Sequence, residues 1–126
     1  MWFNCLMVGL GGCVGAVARY LLGQIPLGQS AFPWMTLLIN FVGAFVIGIA
    51  AQMAEQTELL SAHTLLFVKT GVCGGFTTFS TFSLEAFTML EEGNRWQAAV
   101  YVGLSVMLCL LGVWVGKMIV RTLATA

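Results

Sequence analysis

Charged side chains are scarce in this sequence: they make up 8% of its 126 residues, and Lys+Arg and Asp+Glu both number 5. An ordinary soluble domain has about 25%. The balance leaves no basic excess for phosphates, which excludes nucleic acid as a partner. Apolar residues make up 60% of the chain, more than a soluble globule of this size can cover. The composition therefore predicts a membrane protein and excludes a soluble enzyme or a disordered segment.

Residues that bind metals or catalyse redox chemistry are also few. The chain has one histidine, His63, and no C-x-x-C pair among its four cysteines, Cys5, Cys13, Cys73 and Cys109. Zinc and dithiol sites need closer spacing than this. All four cysteines fall in apolar runs, so we interpret them as small packing residues rather than a disulfide framework.

A membrane helix needs about 20 mostly apolar residues, and four segments of the chain are long enough. The predicted spans cover approximately residues 3–22, 34–54, 62–90 and 96–117. They are joined by short polar connections at Gly23–Pro33, Glu55–Glu58 and Glu91–Arg95. We therefore expect an all-α membrane protein with four transmembrane helices, forming a single domain over residues 1–126.

The third segment is too long for one straight span. As a continuous helix, Leu59–Leu90 would reach about 48 Å, against about 30 Å of hydrocarbon. It contains a glycine pair followed by threonines, which weakens a helix. We predict a break near Gly74–Thr78, where protein, water or an ion must contact the freed main-chain groups. The alternative is a long tilted helix with a hydroxyl-rich packing face.

The cations show almost no bias between the two sides of the membrane. Toward the side of the chain ends lie Lys69, Lys117 and Arg121, and toward the other lie Arg19 and Arg95. Such a weak bias predicts dual topology, in which inverted copies form an antiparallel homodimer. The alternative is a single orientation set by the insertion machinery.

Small residues in three spans predict close helix packing, within or between subunits. They form the G-x-x-x-G pairs Gly11/Gly15, Gly71/Gly75 and Gly112/Gly116. Three pairs in different spans carry more weight than one, because the chain has 15 glycines.

Polar residues inside a membrane are costly and mark candidate sites. Tracing the spans up and down places four of them at the same end of the bundle: Arg19, Asn40, Glu85 and Tyr101. We predict a water-filled vestibule there; polar contacts between helices are the alternative. Ser105 follows Tyr101 by one turn.

Two phenylalanines, Phe79 and Phe82, share a helix face among the hydroxyls of the third segment. A phenyl edge is electropositive, so rings turned edge-on can contact an anion. Thr78, Thr81 and Glu85 form a second stripe on the same helix, and hydroxyl donors could replace the water around the anion.

These residues resemble the Fluc fluoride channels, also called CrcB proteins, along the whole chain. The first motif runs from Gly11-Gly12 through Gly15-Ala16 to Arg19-Tyr20, and the second joins Thr36, Asn40 and Gly43. The third and most specific runs from Gly71 through Gly74-Gly75 and the segment 77–83 to Glu85.

The resemblance implies an antiparallel, dual-topology homodimer in the bacterial plasma membrane that passively exports fluoride through two pathways. It implies a structural sodium ion held by the carbonyls of Gly74 and Thr77. The fluoride pathway would comprise Asn40, Phe79, Phe82, Thr81, Tyr101 and Ser105, with supporting polar roles for Arg19 and Glu85. One departure is Cys109, which stands where relatives often continue the polar track.

Two other functions fit parts of the sequence. A proton-coupled exporter of the small multidrug resistance kind has similar length, but relies on a glutamate in the first span, where this chain has Arg19. A membrane scaffold without transport would leave Asn40, the hydroxyls and the glycine pair unexplained. An ATP-driven pump is excluded because there is no G-x-x-x-x-G-K-[ST] loop.

Overall fold

The computed structural model describes residues 1–26, 31–56 and 60–124, and helices are the regular secondary structure of those residues. In chain order they are α1 (Trp2–Gly23), α2 (Trp34–Gln56), α3 (62–76), α4 (Phe79–Glu91) and α5 (Arg95–Ala124). The all-α prediction is confirmed. Parts of the connections predicted at Gly23–Pro33 and Glu55–Glu58 lie outside the described residues.

Three of the helices, α1, α2 and α5, are each long and apolar enough to cross a membrane. The third predicted span is divided into α3 and α4, and neither half alone has that length. The helix α5 continues beyond the predicted end at residue 117 because α2 supports it. There Lys117 pairs with Glu55 at 3.0 Å, and the Arg121 Nε donates to the Gln52 Oε1 at 3.1 Å.

The break in the third span lies at Thr77 and Thr78, whose backbones are extended. Gly74 and Gly75, which the sequence pointed to, remain helical up to Phe76. The packing of α1 explains this, because a methyl group on Gly75 would overlap the Gly12 carbonyl. The break is confirmed, the continuous tilted helix is wrong, and Gly75 serves packing, whereas a Cβ on Gly74 would contact nothing.

Close approach of backbones joins the helices in two pairs. The helix α1 packs on α3, where a Cβ on Gly71 would lie 2.8 Å from the Gly11 Cα. The helix α2 packs on α5, where a Cβ on Gly116 would overlap the Phe45 carbonyl. All three G-x-x-x-G pairs therefore pack within the subunit, where their lack of a side chain permits the contact.

Much of α3, Leu66–Cys73, has π-helical geometry, which is rare and often found at functional sites. Where α4 follows the break, the Thr78 Oγ1 caps it by accepting from the Thr81 N–H at 3.1 Å. A buried cluster along α4 then joins it to α2 and α5, and Tyr101 in this cluster is fully buried. This anchoring fixes the direction in which α4 leaves the break.

Candidate functional site

Asn40 holds the helix break through both atoms of its carboxamide. Its Oδ1 accepts from the Thr78 N–H at 2.8 Å, and its Nδ2 donates to the Thr78 carbonyl at 3.2 Å. The amide thus satisfies two main-chain groups that lipid could not satisfy. Asn40 can reach them because a glycine one turn later, Gly43, leaves room for the Thr77 side chain.

Arg19 contacts the same break from α1. Its Nε donates to the Gly75 carbonyl at 3.2 Å. On the other side of the break the Thr77 hydroxyl donates to the Cys73 carbonyl at 2.8 Å. Side chains from α1 and α2 therefore converge on a few residues of main chain, which explains how an interrupted helix persists inside a membrane.

Two carbonyls at the break lose their helical donors. The Gly74 carbonyl would accept from the Thr78 N–H in a continuous helix, but that N–H donates to Asn40. The Thr77 carbonyl would accept from the Thr81 N–H, which donates to the Thr78 hydroxyl instead. These are the two oxygens that the family resemblance implies as ligands of a cation. Neutral carbonyls without a neighbouring carboxylate suit a monovalent cation better than Ca²⁺ or Mg²⁺.

A cavity of about 480 Å³, here called the groove, opens beside the break between α2, α3, α4 and α5. Its wall is mostly apolar, and none of the described residues that line it is acidic. The predicted site residues that line it are Asn40, Gly74, Thr77, Phe79, Phe82 and Ser105, and Cys109 and Lys69 line it too. The structure therefore brings residues from three predicted spans to one surface.

The rings of Phe79 and Phe82 lie 5.5 Å apart, centroid to centroid, at an interplanar angle of 47°. Phe82 is buried and lies 5.2 Å from the Tyr101 ring. Phe79 is 79% exposed in the subunit. The pair therefore leads from the open face of the groove to the buried Tyr101, and the outer ring, Phe79, is the exposed one.

A second cavity, of about 460 Å³ and here called the vestibule, lies on the other side of α4. The predicted residues that line it are Arg19, Thr81 and Glu85, and Thr78 lines both cavities. Tyr101 and Asn40 are bonded to residues of its wall. Arg19 and Glu85 therefore share this cavity, and Tyr101 bonds to Glu85, whereas Asn40 lines the groove. The water-filled vestibule and the roles of these residues stay predictions.

Glu85 accepts two hydrogen bonds in this wall. The Tyr101 hydroxyl donates to its Oε2 at 2.7 Å, and the Thr36 hydroxyl donates to its Oε1 at 2.8 Å. Among the described residues Glu85 has no ion pair with Arg19, although both line the vestibule. The carboxylate is therefore tied to hydroxyls, and the guanidinium faces the cavity.

Sequence reasoning missed two residues of this site. Thr36 stands one turn before Asn40, so its spacing already placed it on the same face of α2. Lys69 was counted only for topology, although a lysine inside a span is itself a signal. Ser105 was predicted, and its buried hydroxyl has no hydrogen-bond partner within the described residues.

Residues with hydrogen-bond donors and two phenyl rings line the groove. It contains the Lys69 ammonium, the Ser105 hydroxyl and the Asn40 amide, and the phenyl rings lie beside them. Donors without a matching acid favour an anion over a cation along this wall. The exception is the pair of hydrogen-bond acceptors formed by the main-chain carbonyls of Gly74 and Thr77, two residues that also line the groove.

Comparisons with known proteins agree with this geometry. A family model described as CrcB-like protein, Camphor Resistance (CrcB), matches residues 6–117. The chain is 48% identical over 120 residues to a protein of Geobacter sulfurreducens, covering 94% of this chain and 97% of that one. It is 42% identical to a protein of Rhizobium etli, covering 95% and 98%, and 42% identical to one of Ruminiclostridium cellulolyticum, covering 97% and 95%. All three are named fluoride-specific ion channel FluC. The chain therefore belongs to the CrcB-like family.

Proposed function

We propose that this protein is a fluoride-specific channel that passively exports fluoride across the bacterial plasma membrane and so lowers its toxicity in the cytoplasm. The observation that carries the proposal is full-length similarity to proteins named fluoride-specific ion channel FluC, at 42–48% identity. The groove beside the break supplies the chemistry that such a channel needs.

Fluoride is small and strongly hydrated, so it leaves water only where several close donors replace its hydration. The path we propose contains Phe79, Phe82 and Ser105 in the groove, with Thr81 and Tyr101 on the side of the vestibule. Ring edges and hydroxyls attract the anion without binding it as tightly as a paired charge would. A path of this kind permits both entry and release.

Passive conduction suits the arrangement of Glu85, the acid between the Tyr101 and Thr36 hydroxyls. A coupled exporter needs an acid that is free to exchange protons with its substrate. Fluoride needs no coupling, because the negative interior of the cell drives anions outward.

The active unit is proposed to be an antiparallel homodimer whose subunits meet along their grooves. The groove is open in the single subunit, and Phe79 at its edge is 79% exposed. A second, inverted copy would cover this face and place two helix breaks against each other at the two-fold axis. Each groove would then become a closed path, which gives the dimer two fluoride pathways.

A sodium ion between the subunits would be held by the main-chain oxygens of Gly74 and Thr77. Their helical donors are taken by other acceptors, and Gly74 is exposed on the face that the partner would cover. The ion would neutralise carbonyl dipoles that lipid cannot satisfy, so it is structural and not transported.

Removing sodium is expected to lower both fluoride flux and the dimer fraction on gel filtration after prolonged dialysis into sodium-free buffer. Lithium or potassium should restore them poorly, because the spacing of fixed carbonyls selects by ion size. Full fluoride flux and an intact dimer, with sodium verified to be absent, would refute the sodium site. The proposed fluoride path would not be affected by that result.

Purified protein in liposomes tests the function directly. With valinomycin and potassium balancing charge, we expect rapid fluoride release at an ion-selective electrode and far slower chloride release in the matched control. Release that needs a pH gradient and stays electrically silent would instead indicate a proton-coupled exporter. No fluoride release from well-folded protein would refute the channel.

A further inference from the structure

Lys69 lies inside the third span, where burying a charged side chain in the membrane is energetically costly. It stands seven residues after the start of α3 at Ala62, about 10 Å along the helix. A lysine at this depth pairs with another group, faces a water-filled path or extends its ammonium to the interface. These three arrangements differ in what the side chain contacts.

Four other charged side chains of the described residues have partners of a kind that Lys69 lacks. Arg19 donates to the Gly75 carbonyl, Lys117 pairs with Glu55, and Arg121 donates to Gln52. Glu85 accepts from two hydroxyls and lines the vestibule. Lys69 has no acidic partner or hydrogen-bond acceptor within the described residues, and its side chain is exposed.

The groove that Lys69 lines is also short of acceptors. In the described part of the chain its wall contains no acid, and Ser105, which is 6% exposed, has a buried hydroxyl without a hydrogen-bond partner. Lys69 therefore shares one cavity with an unpaired hydroxyl and with the Phe79 and Phe82 rings. An ammonium and a free donor in a mostly apolar cavity have complementary chemistry for an anion.

We propose that Lys69 is a fixed positive charge of the conduction path, which concentrates the permeant anion in the groove and so sets its rate of passage. The proposal rests on fluoride conduction by the groove. A unit charge beside a narrow apolar path attracts anions strongly, because low-dielectric walls focus its field. The role needs the charge and not the shape of the side chain.

Charge variants at this position separate that role from packing. In liposome efflux at equal protein, Lys69→Met and Lys69→Gln should each lower fluoride flux roughly tenfold, since the local field is lost. Lys69→Arg should stay within about twofold of wild type, and Lys69→Glu should fall below the neutral variants. If Lys69 served only packing, fluoride flux would not follow the charge of the side chain in this order.

The matched control is Lys117→Met, which removes a cation of the same type outside the groove. Its salt bridge with Glu55 is partly exposed, so its loss should change stability and flux little. Each variant is checked as a dimer on gel filtration. Wild-type flux in Lys69→Met and Lys69→Gln would overturn the proposal. Lys69 would then be a lysine that extends its ammonium to the membrane interface. Absence of flux in the wild type would instead refute the proposed function.

Discussion

Replacing Asn40 by aspartate is expected to abolish fluoride flux, with a fall of about a hundredfold or more from the lost donor and the added charge. The carboxylate can still accept from the Thr78 N–H, as the amide oxygen does at 2.8 Å. It cannot donate to the Thr78 carbonyl, which the amide nitrogen does at 3.2 Å. Two oxygens would then face each other, and the negative charge would repel anions in the groove.

The same substitution in a loop provides the control. Asn94→Asp changes an exposed residue between α4 and α5, whose amide makes only a long contact of 3.4 Å to Glu92. We expect flux within about twofold of wild type there, because a surface charge is screened. Wild-type flux in Asn40→Asp would show that neither the break nor the path depends on this amide.

Replacing Phe79 or Phe82 by isoleucine is expected to lower fluoride flux by roughly fivefold each, because an edge contact of an aromatic ring is worth about 1 kcal/mol. The two variants should differ in stability. Phe82 is buried against Phe79 and Tyr101, so Phe82→Ile should also destabilise the subunit. Phe79 is 79% exposed, so Phe79→Ile should leave the subunit intact.

Phe87→Ile is the matched control on the same helix. Phe87 is 58% exposed and lines neither the groove nor the vestibule. Its replacement should leave fluoride flux unchanged, with thermal unfolding and gel filtration confirming the fold of all three proteins. Flux that falls equally in all three variants would point to general packing, and flux that falls in none would remove the rings from the path.

The predictions from sequence succeeded where composition and periodicity carry the signal. Long apolar runs placed most helix ends within a few residues, because the length of a span follows from the thickness of the bilayer. The exception is α5, which continues past the predicted end at residue 117 to Ala124. The break was placed near Gly74–Thr78, but the structure assigns it to Thr77 and Thr78. Local propensity could not separate them, because Gly75 stays helical through its contact with Gly12 on another helix.

The sequence predicted which residues belong to the site better than it predicted their hydrogen-bond partners. Asn40 was expected as a donor to the anion, whereas its carboxamide bonds the Thr78 main chain. Glu85 was undecided between an acceptor and a titrating group, and the structure shows it accepting from Thr36 and Tyr101. Such pairings join residues far apart in the chain, so no spacing rule could foresee them.

The sequence by itself determined that this is a membrane protein, that it is helical, and which family it resembles. Those conclusions follow from transfer free energies and motifs, which are properties of each segment alone. Only the tertiary structure decided which main-chain groups Asn40 and Arg19 satisfy, and that Lys69 shares a groove with Ser105 and the phenyl rings. These depend on how α1, α2 and α5 pack around the break, and packing is decided by contacts between segments.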